Sequence, residues 1–495
     1  MKKGYIPKDK RKTILLLSDD IRTNSGVGCQ SRQIVLNTAH RYNWVNIGGA
    51  VKHPDAGKGF DISSDVNRKT GLTDAKVKIF ASDGYGNPEI LRNIIRQENP
   101  DALMHFTDPR YWIWLYSMEN EIRQKIPMVF YTIWDDLPYP MYNREFYRSD
   151  DMHLWISKQT KNIVENVLRD YPKPDWAVKY VPHGIDEKDF YPINEFNLEF
   201  DVWKEKLLEK KEYDFIVLWN SRNIRRKNAS DIILAWRTFL DQLPVEKAKK
   251  CLLIMHTDPV DQNGTDLPAV VENFCNPEIH KVKFSSSKLQ EKHLNYLFNV
   301  SDAHMFFTDN EGWGLGLTES LTAGRMIIAP VQGGMQDQMR FEDENGDWIN
   351  FSTEHPSNAD GKYKKCGEWA IPLFLKTRSS KGSPLTPYIF STQVAVEDGA
   401  IALMKCYKMG PEERKRRGLA GREWVLSKES GFTAKRMGER FIENVDKLFK
   451  EWKPQPRFDI ISLNDYKKPN NYNPNPISLT PEFIKEIQSI WNHYV

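Results

Sequence analysis

One segment of the chain concentrates side chains that could do chemistry: DNEGWGLGLTESLTAGRMIIAP, residues 309–330. A strand-like run, His304–Thr308, ends at an acidic residue, Glu311. A loop spaced by Gly312, Gly314 and Gly316 follows, leading into a helix from about Leu317 that closes at Gly324. Glycines let backbone N–H groups come close to a ligand. A helix N-terminus adds unpaired donors and the positive end of its dipole. The anion that suits such a turn is a diphosphate. Glu311 before the loop and Glu319 in the first turns of the helix would repel phosphate, so their natural partners are hydroxyls, of a ribose and of a sugar. Taken alone, a glycine turn ahead of a helix also reads as a tight turn and nothing more.

The same segment resembles the E-x7-E signature of the retaining glycosyltransferases of GT-B fold in family 4 (glycosyl transferases group 1), spelled approximately EGFGLxxxEAMAxGxPVIA. Glu311 and Glu319 stand at its two Glu positions, Trp313 replaces the usual Phe, and Gly333-Gly334 matches the glycine pair beyond the next strand. Four further segments match in order. SRNIRRKN (221–228) resembles GRxxxxKN, with Arg222 and Lys227 at the Arg and Lys positions; Arg225 and Arg226 add charge or are simply solvated. VPHGIDEKDFYP (181–192) resembles VxNGxDxxxFxP, with His183 in place of Asn. TNSGVGCQSRQI (23–34), with Gly26 and Gly28, is similar to the small-residue loop after the first strand. SGFTAKRMGERF (430–441) is similar to the lead into the C-terminal helix that crosses back to the first lobe. The spelling is also similar to divergent glycosyltransferases of large tailed phages.

The resemblance implies a nucleotide-diphosphate sugar as co-substrate, no other cofactor and no metal. The backbone of Trp313, Gly314, Leu315 and Gly316 would hold the diphosphate, the loop with Gly26 and Gly28 would meet the acceptor or the diphosphate, Glu319 would hold the ribose and Glu311 the transferred sugar. Arg222 and Lys227 would neutralise the departing diphosphate. The family often carries a first-lobe His near the donor sugar. Here His105 and Thr107 compete for that place, and Trp134 stands where many members have His after the next strand. Asp19-Asp20, Asp135-Asp136 and Asp150-Asp151 are adjacent pairs, which on a strand point to opposite faces and cannot clamp one ion.

These residues need a scaffold that brings distant loops together. Short apolar runs alternate with helical periodicity: Ile14–Leu17, Val45–Ile47, Val77–Phe80, Ala102–Phe106, Met128–Thr132, His153–Ile156 and Lys179–Val181, and again from Phe215–Leu218 to Met326–Ile328. A β-then-α rhythm predicts parallel sheets covered by helices. The expected fold class is α/β, with two doubly wound Rossmann-like lobes, a cleft between them, a C-terminal crossing helix and an extended tail. The expected boundaries are a first, acceptor-side lobe over 1–190, a linker over 191–212 and a nucleotide-sugar lobe over 213–410 with an insertion near 340–390. Helices packing back on the first lobe are expected over 411–453, then a Pro- and Asn-rich tail over 454–495 with a short helix at Pro481–His493.

Composition narrows the class further. Of 495 residues 40% are hydrophobic and 28% charged, ordinary for a protein that builds a core. Five scattered cysteines without C-x-x-C spacing exclude a disulfide framework and disfavour zinc. The only N-terminal apolar run, Ile14–Leu17, is too short for a signal peptide, and no run of eighteen apolar residues exists, so a cytoplasmic enzyme is expected. Competing classes are a glycoside phosphorylase of the same fold and a non-catalytic nucleotide- or nucleic-acid-binding module. The acceptor is open. A soluble small molecule, a protein or a polysaccharide precursor is jointly favoured over duplex DNA carrying hydroxymethylated bases. For DNA speak the basic arm Lys2–Lys12, the clusters Arg222–Lys227 and Arg414–Arg417, and fifteen Trp, twenty Tyr and twenty-four Phe.

Overall fold

The computed structural model describes residues 4–194 and 196–455. The expected helix Pro481–His493, and all of the expected tail except residues 454 and 455, lie outside the described residues. Eight strands form the first sheet: β1 (Lys12–Asp19), β2 (Tyr42–Ala50), β3 (Gly59–Asp61), β4 (Val77–Asp83), β5 (Ala102–Phe106), β6 (Met128–Thr132), β7 (Met152–Trp155) and β8 (Val178–Tyr180). Their order is β3-β4-β2-β1-β5-β6-β7-β8. Every neighbouring pair is parallel except β3 with β4.

Six strands form the second sheet, all parallel: β9 (Phe215–Asn220), β10 (Cys251–His256), β11 (Val282–Ser285), β12 (Ala303–Met305), β13 (Met326–Pro330) and β14 (Ala370–Leu373). Their order, β11-β10-β9-β12-β13-β14, reverses direction beside β9, as the first sheet's does beside β1. Ligands bind such sheets beyond the strands' carboxyl ends at that reversal. The two points in this molecule are therefore the loops after β1 and β5, and the loops after β9 and β12. The apolar runs form these strands because helices cover both faces: Ile14, Leu15, Leu16 and Leu17 are all buried, as are Phe215, Val217 and Leu218.

Helix Ala434–Glu451 crosses from the second half back to the first. Phe441 packs on Tyr42 and Trp44, with ring centroids 6.1 and 5.6 Å apart. Asp446 accepts hydrogen bonds from Tyr42 Oη at 2.6 Å and Arg41 Nη2 at 2.7 Å. Bonds that join the halves beside the cleft include those from Lys158 N–H and Tyr180 Oη to Asp337 Oδ2 at 2.9 and 2.8 Å and from Gln336 Nε2 to Gln159 Oε1 at 2.7 Å.

Two stretches differ from the sequence reading. The linker holds a regular helix, Leu198–Leu208, capped by Asn197, whose side chain accepts from Phe200 N–H at 3.0 Å. Phe200 and Leu208 turn inward and Trp203 meets Tyr296 at 5.7 Å, while Lys204, Glu205 and Lys206 are exposed to solvent. Within 340–390, β14 supplies the sixth strand, and an antiparallel hairpin follows, β15 (Thr377–Ser383) with β16 (Thr386–Gln393). Among the described residues no helix is long and apolar enough to cross a membrane.

Candidate active site

Two cavities meet in the cleft. The first, about 820 Å³, is lined by helix Gly26–Thr38, the 184–191 segment, the 289–294 segment and Leu315, Gly316 and Glu319. The second, about 700 Å³, is lined by the loops after β1, β5, β6 and β12 and by the hairpin. Gly26 and Leu315 line both. A Cβ on Gly26 would already stand 3.5 Å from Leu315 Cδ1, so the two halves touch at this neck.

Helix Leu315–Thr322 starts at the neck. Its N-cap, Gly314, has φ +85°, a left-handed conformation that glycine adopts without strain. Gly333, at φ +50°, lies so near that a Cβ there would overlap the Glu311 carbonyl, and Gly334 N–H donates to Gly312 O at 2.9 Å. The glycine pair thus fixes the 311–314 loop from behind. Trp313 is buried. Its indole donates to Thr318 Oγ1 at 2.9 Å, and its ring meets Phe432 at 4.9 Å, so its ring anchors the loop while its backbone lies along the second cavity.

Glu311 lines the second cavity and is paired with Lys227; Arg226 Nη1 lies 3.6 Å from the same oxygen, and Gly314 N–H donates to the other at 3.1 Å. Burial alone would raise its pKa, but the Lys227 and Arg226 charges and these hydrogen bonds outweigh burial and hold the carboxylate at about 2. Lys227 is itself buried, its ammonium 4.6 Å from the centre of the Phe306 ring, and burial pulls its pKa down despite Glu311. Glu319, in the first cavity, has no hydrogen-bond or ion-pair partner for its side chain among the described residues. Burial and then the charge of Glu291 push it up to about 7. An unpartnered carboxyl in a cleft is ready to accept hydrogen bonds from hydroxyls.

Other sequence-predicted residues fall elsewhere. Arg222 is exposed, its Nε donates to Asp261 Oδ2 at 2.9 Å, and it lines neither cavity. The tight turn Arg225–Lys227 brings Arg226 to the cleft instead, where it also donates to Asn310 O at 2.7 Å. His105 is fully buried away from the cleft: it pairs with Asp150 at 2.9 Å and stacks on Phe130 at 4.3 Å. Side chains alternate along β5, so its neighbour Phe106 faces the second cavity. The histidine that lines that cavity is His183, which burial pushes down to about 3, a neutral ring bonded through Nδ1 to Tyr131 Oη at 2.9 Å. Gly28 lines neither cavity; its N–H donates to Ser25 Oγ at 3.0 Å, and its missing side chain admits Thr23 and the Asp20 carbonyl.

The sequence reading left Arg226 as added charge or simply solvated, weighed Asp135 only as half of an acid pair that cannot clamp a metal, and did not single out Asp108 or Arg110; all four line the second cavity. Position just past a strand's carboxyl end was the available signal for Asp108 and Asp135. Among the described residues no group of three or more His, Cys, Asp or Glu side chains could hold a metal ion.

Two parallel sheets facing one cleft, with a crossing C-terminal helix, define the GT-B fold. Solved structures of that fold match over most of their length. A glycosyltransferase from Rickettsia africae superposes with a TM-score of 0.60 at 14% identity, covering 89% of this chain and 100% of its own. HepE from Anabaena, solved with UDP and glucose, gives 0.60 at 12% identity over 88% of this chain and 100% of its own. Sucrose-phosphate synthase from Thermosynechococcus elongatus gives 0.60 at 14% identity over 89% and 100%. No protein-family model and no curated protein matches the sequence.

Proposed function

We propose that the protein is a glycosyltransferase that moves a sugar from a nucleotide-diphosphate sugar to an acceptor hydroxyl, retaining the anomeric configuration and needing no divalent metal. One observation carries the reading: two carboxylates stand on opposite sides of one helix N-terminus, Glu319 in the first cavity and Glu311 in the second. A donor laid across the neck places its ribose at Glu319, its diphosphate over the backbone of Gly314, Leu315 and Gly316, and its sugar at Glu311. Lys227 and Arg226 then offset the charge that grows on the diphosphate as its bond to the sugar breaks. In the same-face scheme that the motif resemblance implies, the acceptor oxygen bonds to the anomeric carbon as the leaving phosphate oxygen takes the bond's electron pair and the acceptor's proton. Glu311, held at about 2 by its cations, is a weak nucleophile, in keeping with that scheme.

The nucleic-acid acceptor has less support. Arg11 is buried against Asp74, and Lys12 pairs with Asp101 at 2.7 Å. Arg414 is buried on Asp302 at 3.0 Å, and Arg416 and Arg417 pair with Glu413. These cations, among the described residues, are thus engaged within the chain.

The test is nucleotide release from a panel of UDP-, GDP- and ADP-sugars, with UDP-glucose tried first because HepE was solved with UDP and glucose. It is run in excess EDTA, with the product anomer read by NMR. Release from one donor class with the anomer retained is expected. No release from any donor, or turnover only with inorganic phosphate and a glycoside, would overturn the reading. Activity abolished by EDTA and restored by manganese would overturn its metal-free part.

A further inference from the structure

Six carboxylates line the second cavity, and five of them have partners. Asp19 accepts from Tyr85 Oη at 2.8 Å and from Ser25. Asp108 is forked by Arg110, Asp136 accepts from Asn310, Asp309 accepts from Asn228 and Ser391 at 2.8 and 2.7 Å, and Glu311 holds Lys227. The sixth, Asp135, has no ion-pair partner among the described residues, and the one hydrogen bond to its side chain comes from its own backbone N–H. Its main chain is fixed, with its carbonyl accepting from Gln159 Nε2 at 2.7 Å. Asp135 also borders a recess of about 100 Å³ shared with Asp108, Arg110 and the hairpin residues Thr386 and Ile389. It therefore stands on the hairpin side of the cavity.

The hairpin makes this side a built wall. Ser391 and Thr392 donate to Asp309 Oδ2 and Asp309 O at 2.7 and 2.6 Å, tying it to the second half. Phe390 N–H donates to Leu137 O at 2.6 Å, and Tyr142 Oη donates to Tyr388 O at 3.0 Å, tying it to the first. Lys381 reaches the cavity from the hairpin and donates to Ser391 Oγ at 3.0 Å. Opposite ring chemistry comes from Tyr111, which lines the cavity, is 52% exposed and leans on Tyr85 at 5.0 Å. An exposed aromatic face beside hydroxyl-binding groups suits the apolar face of a sugar ring.

We propose that this hairpin side of the cavity is the acceptor subsite, that it takes a neutral hydroxylated ring such as a glycoside, and that Asp135 accepts a hydrogen bond from one of the ring's hydroxyls and so orients the attacking oxygen. The proposal rests on the glycosyltransferase reading above. Charge favours a neutral ligand. Arg110 is paired with Asp108, and Lys227 and Arg226 with Glu311, so a phosphate group would meet six carboxylates against the lining cations Arg110, Arg226 and Lys381. Burial lifts Asp135 to about 7, with Arg226 and Lys227 pulling down and Glu311 pulling up. Asp136 beside it is raised by burial and by Asp135, with Asp108 raising it and Arg110 lowering it; Lys381 and Asp309 share the cavity. The carboxyl thus ionises across the neutral range, and hydrogen bonds to its charged form are the stronger ones.

The test uses the nucleotide sugar that the donor panel selects, with methyl glucosides as the neutral acceptors, glucose 6-phosphate as the charged one and a duplex containing 5-hydroxymethylcytosine as the nucleic acid. Neutral glycosides are expected to accelerate nucleotide release. Asp135→Asn should raise the acceptor KM at least ~10-fold, the loss of one hydrogen bond to a charged group, and move the donor KM far less. Asp135→Glu should recover part of the loss. With the donor saturating, acceptor kcat/KM should rise with pH through about 7 in the wild type, and the Asn variant should lose most of that rise. Equal changes in both KM values would place Asp135 on the donor and overturn the proposal, as would a charged sugar or the duplex accelerating release where neutral glycosides do not. If a nucleotide sugar is hydrolysed but no glycoside accelerates release, the proposal fails alone; if none is turned over even with water, the functional reading fails and this falls with it.

Discussion

Lys227 and Arg226 converge on Glu311 from one tight turn, and only Lys227 was singled out from sequence. Removing one charge donor to a transition state costs about 2.7–4 kcal/mol, so Lys227→Ala should lower kcat/KM at least ~10²-fold. Arg226→Ala should cost more activity than Arg222→Ala, because Arg222 is held outside the cleft by Asp261. Kinetics on the three variants decide the ranking, and the reverse order would show that Arg222 leaves Asp261 to serve the donor. The placement of the two glutamates and Lys227 at the cleft was legible because it follows from spacing along one loop or helix. His105 was misplaced for a reason of parity. The strand was read correctly as Ala102–Phe106, but a one-residue choice along a strand selects the opposite face, and nothing local reveals which face looks into the cleft.

Most strands were legible as apolar runs, since a parallel strand covered on both faces must be apolar throughout. The hairpin was not. All seven residues of β15 are exposed, so TRSSKGS carries no buried alternation to read. Helix Leu198–Leu208 escaped for a similar reason, its charged outer face masking two inward residues, Phe200 and Leu208. The crossing helix Ala434–Glu451 was legible, and one of its residues has a use that only packing reveals. A Cβ on Gly438 would stand 2.6 Å from Asn37 Cβ, so this glycine lets the crossing helix approach helix Gly26–Thr38, whose first turn forms the neck. Gly438→Leu should destabilise the fold by about 1–3 kcal/mol or more through overpacking, measured by urea unfolding. A variant as stable as the wild type would contradict the close contact.

Across the whole molecule, both sheets reverse strand order at the cleft, so loops far apart in sequence deliver Gly26, Asp135, Lys227 and Glu311 to one place. The GT-B arrangement was readable from the β-then-α rhythm and the order of the motifs. Which side chains face the two cavities was not, because that depends on how the halves meet at Gly26 and Leu315. The central claim is that a nucleotide lies across this neck with its ribose on Glu319. Calorimetric titration of UDP, GDP and ADP into the wild type and Glu319→Gln tests it most directly. Burial raises Glu319 to about 7, so its carboxylate form grows as pH rises through that value, and ribose hydroxyls bond more strongly to it. One nucleoside diphosphate should bind, more tightly at pH 8 than at pH 6, and Glu319→Gln should weaken it by about 10-fold at the higher pH and remove the pH dependence. Failure of all three nucleotides to bind, or an affinity and pH profile unchanged in Glu319→Gln, would contradict the account.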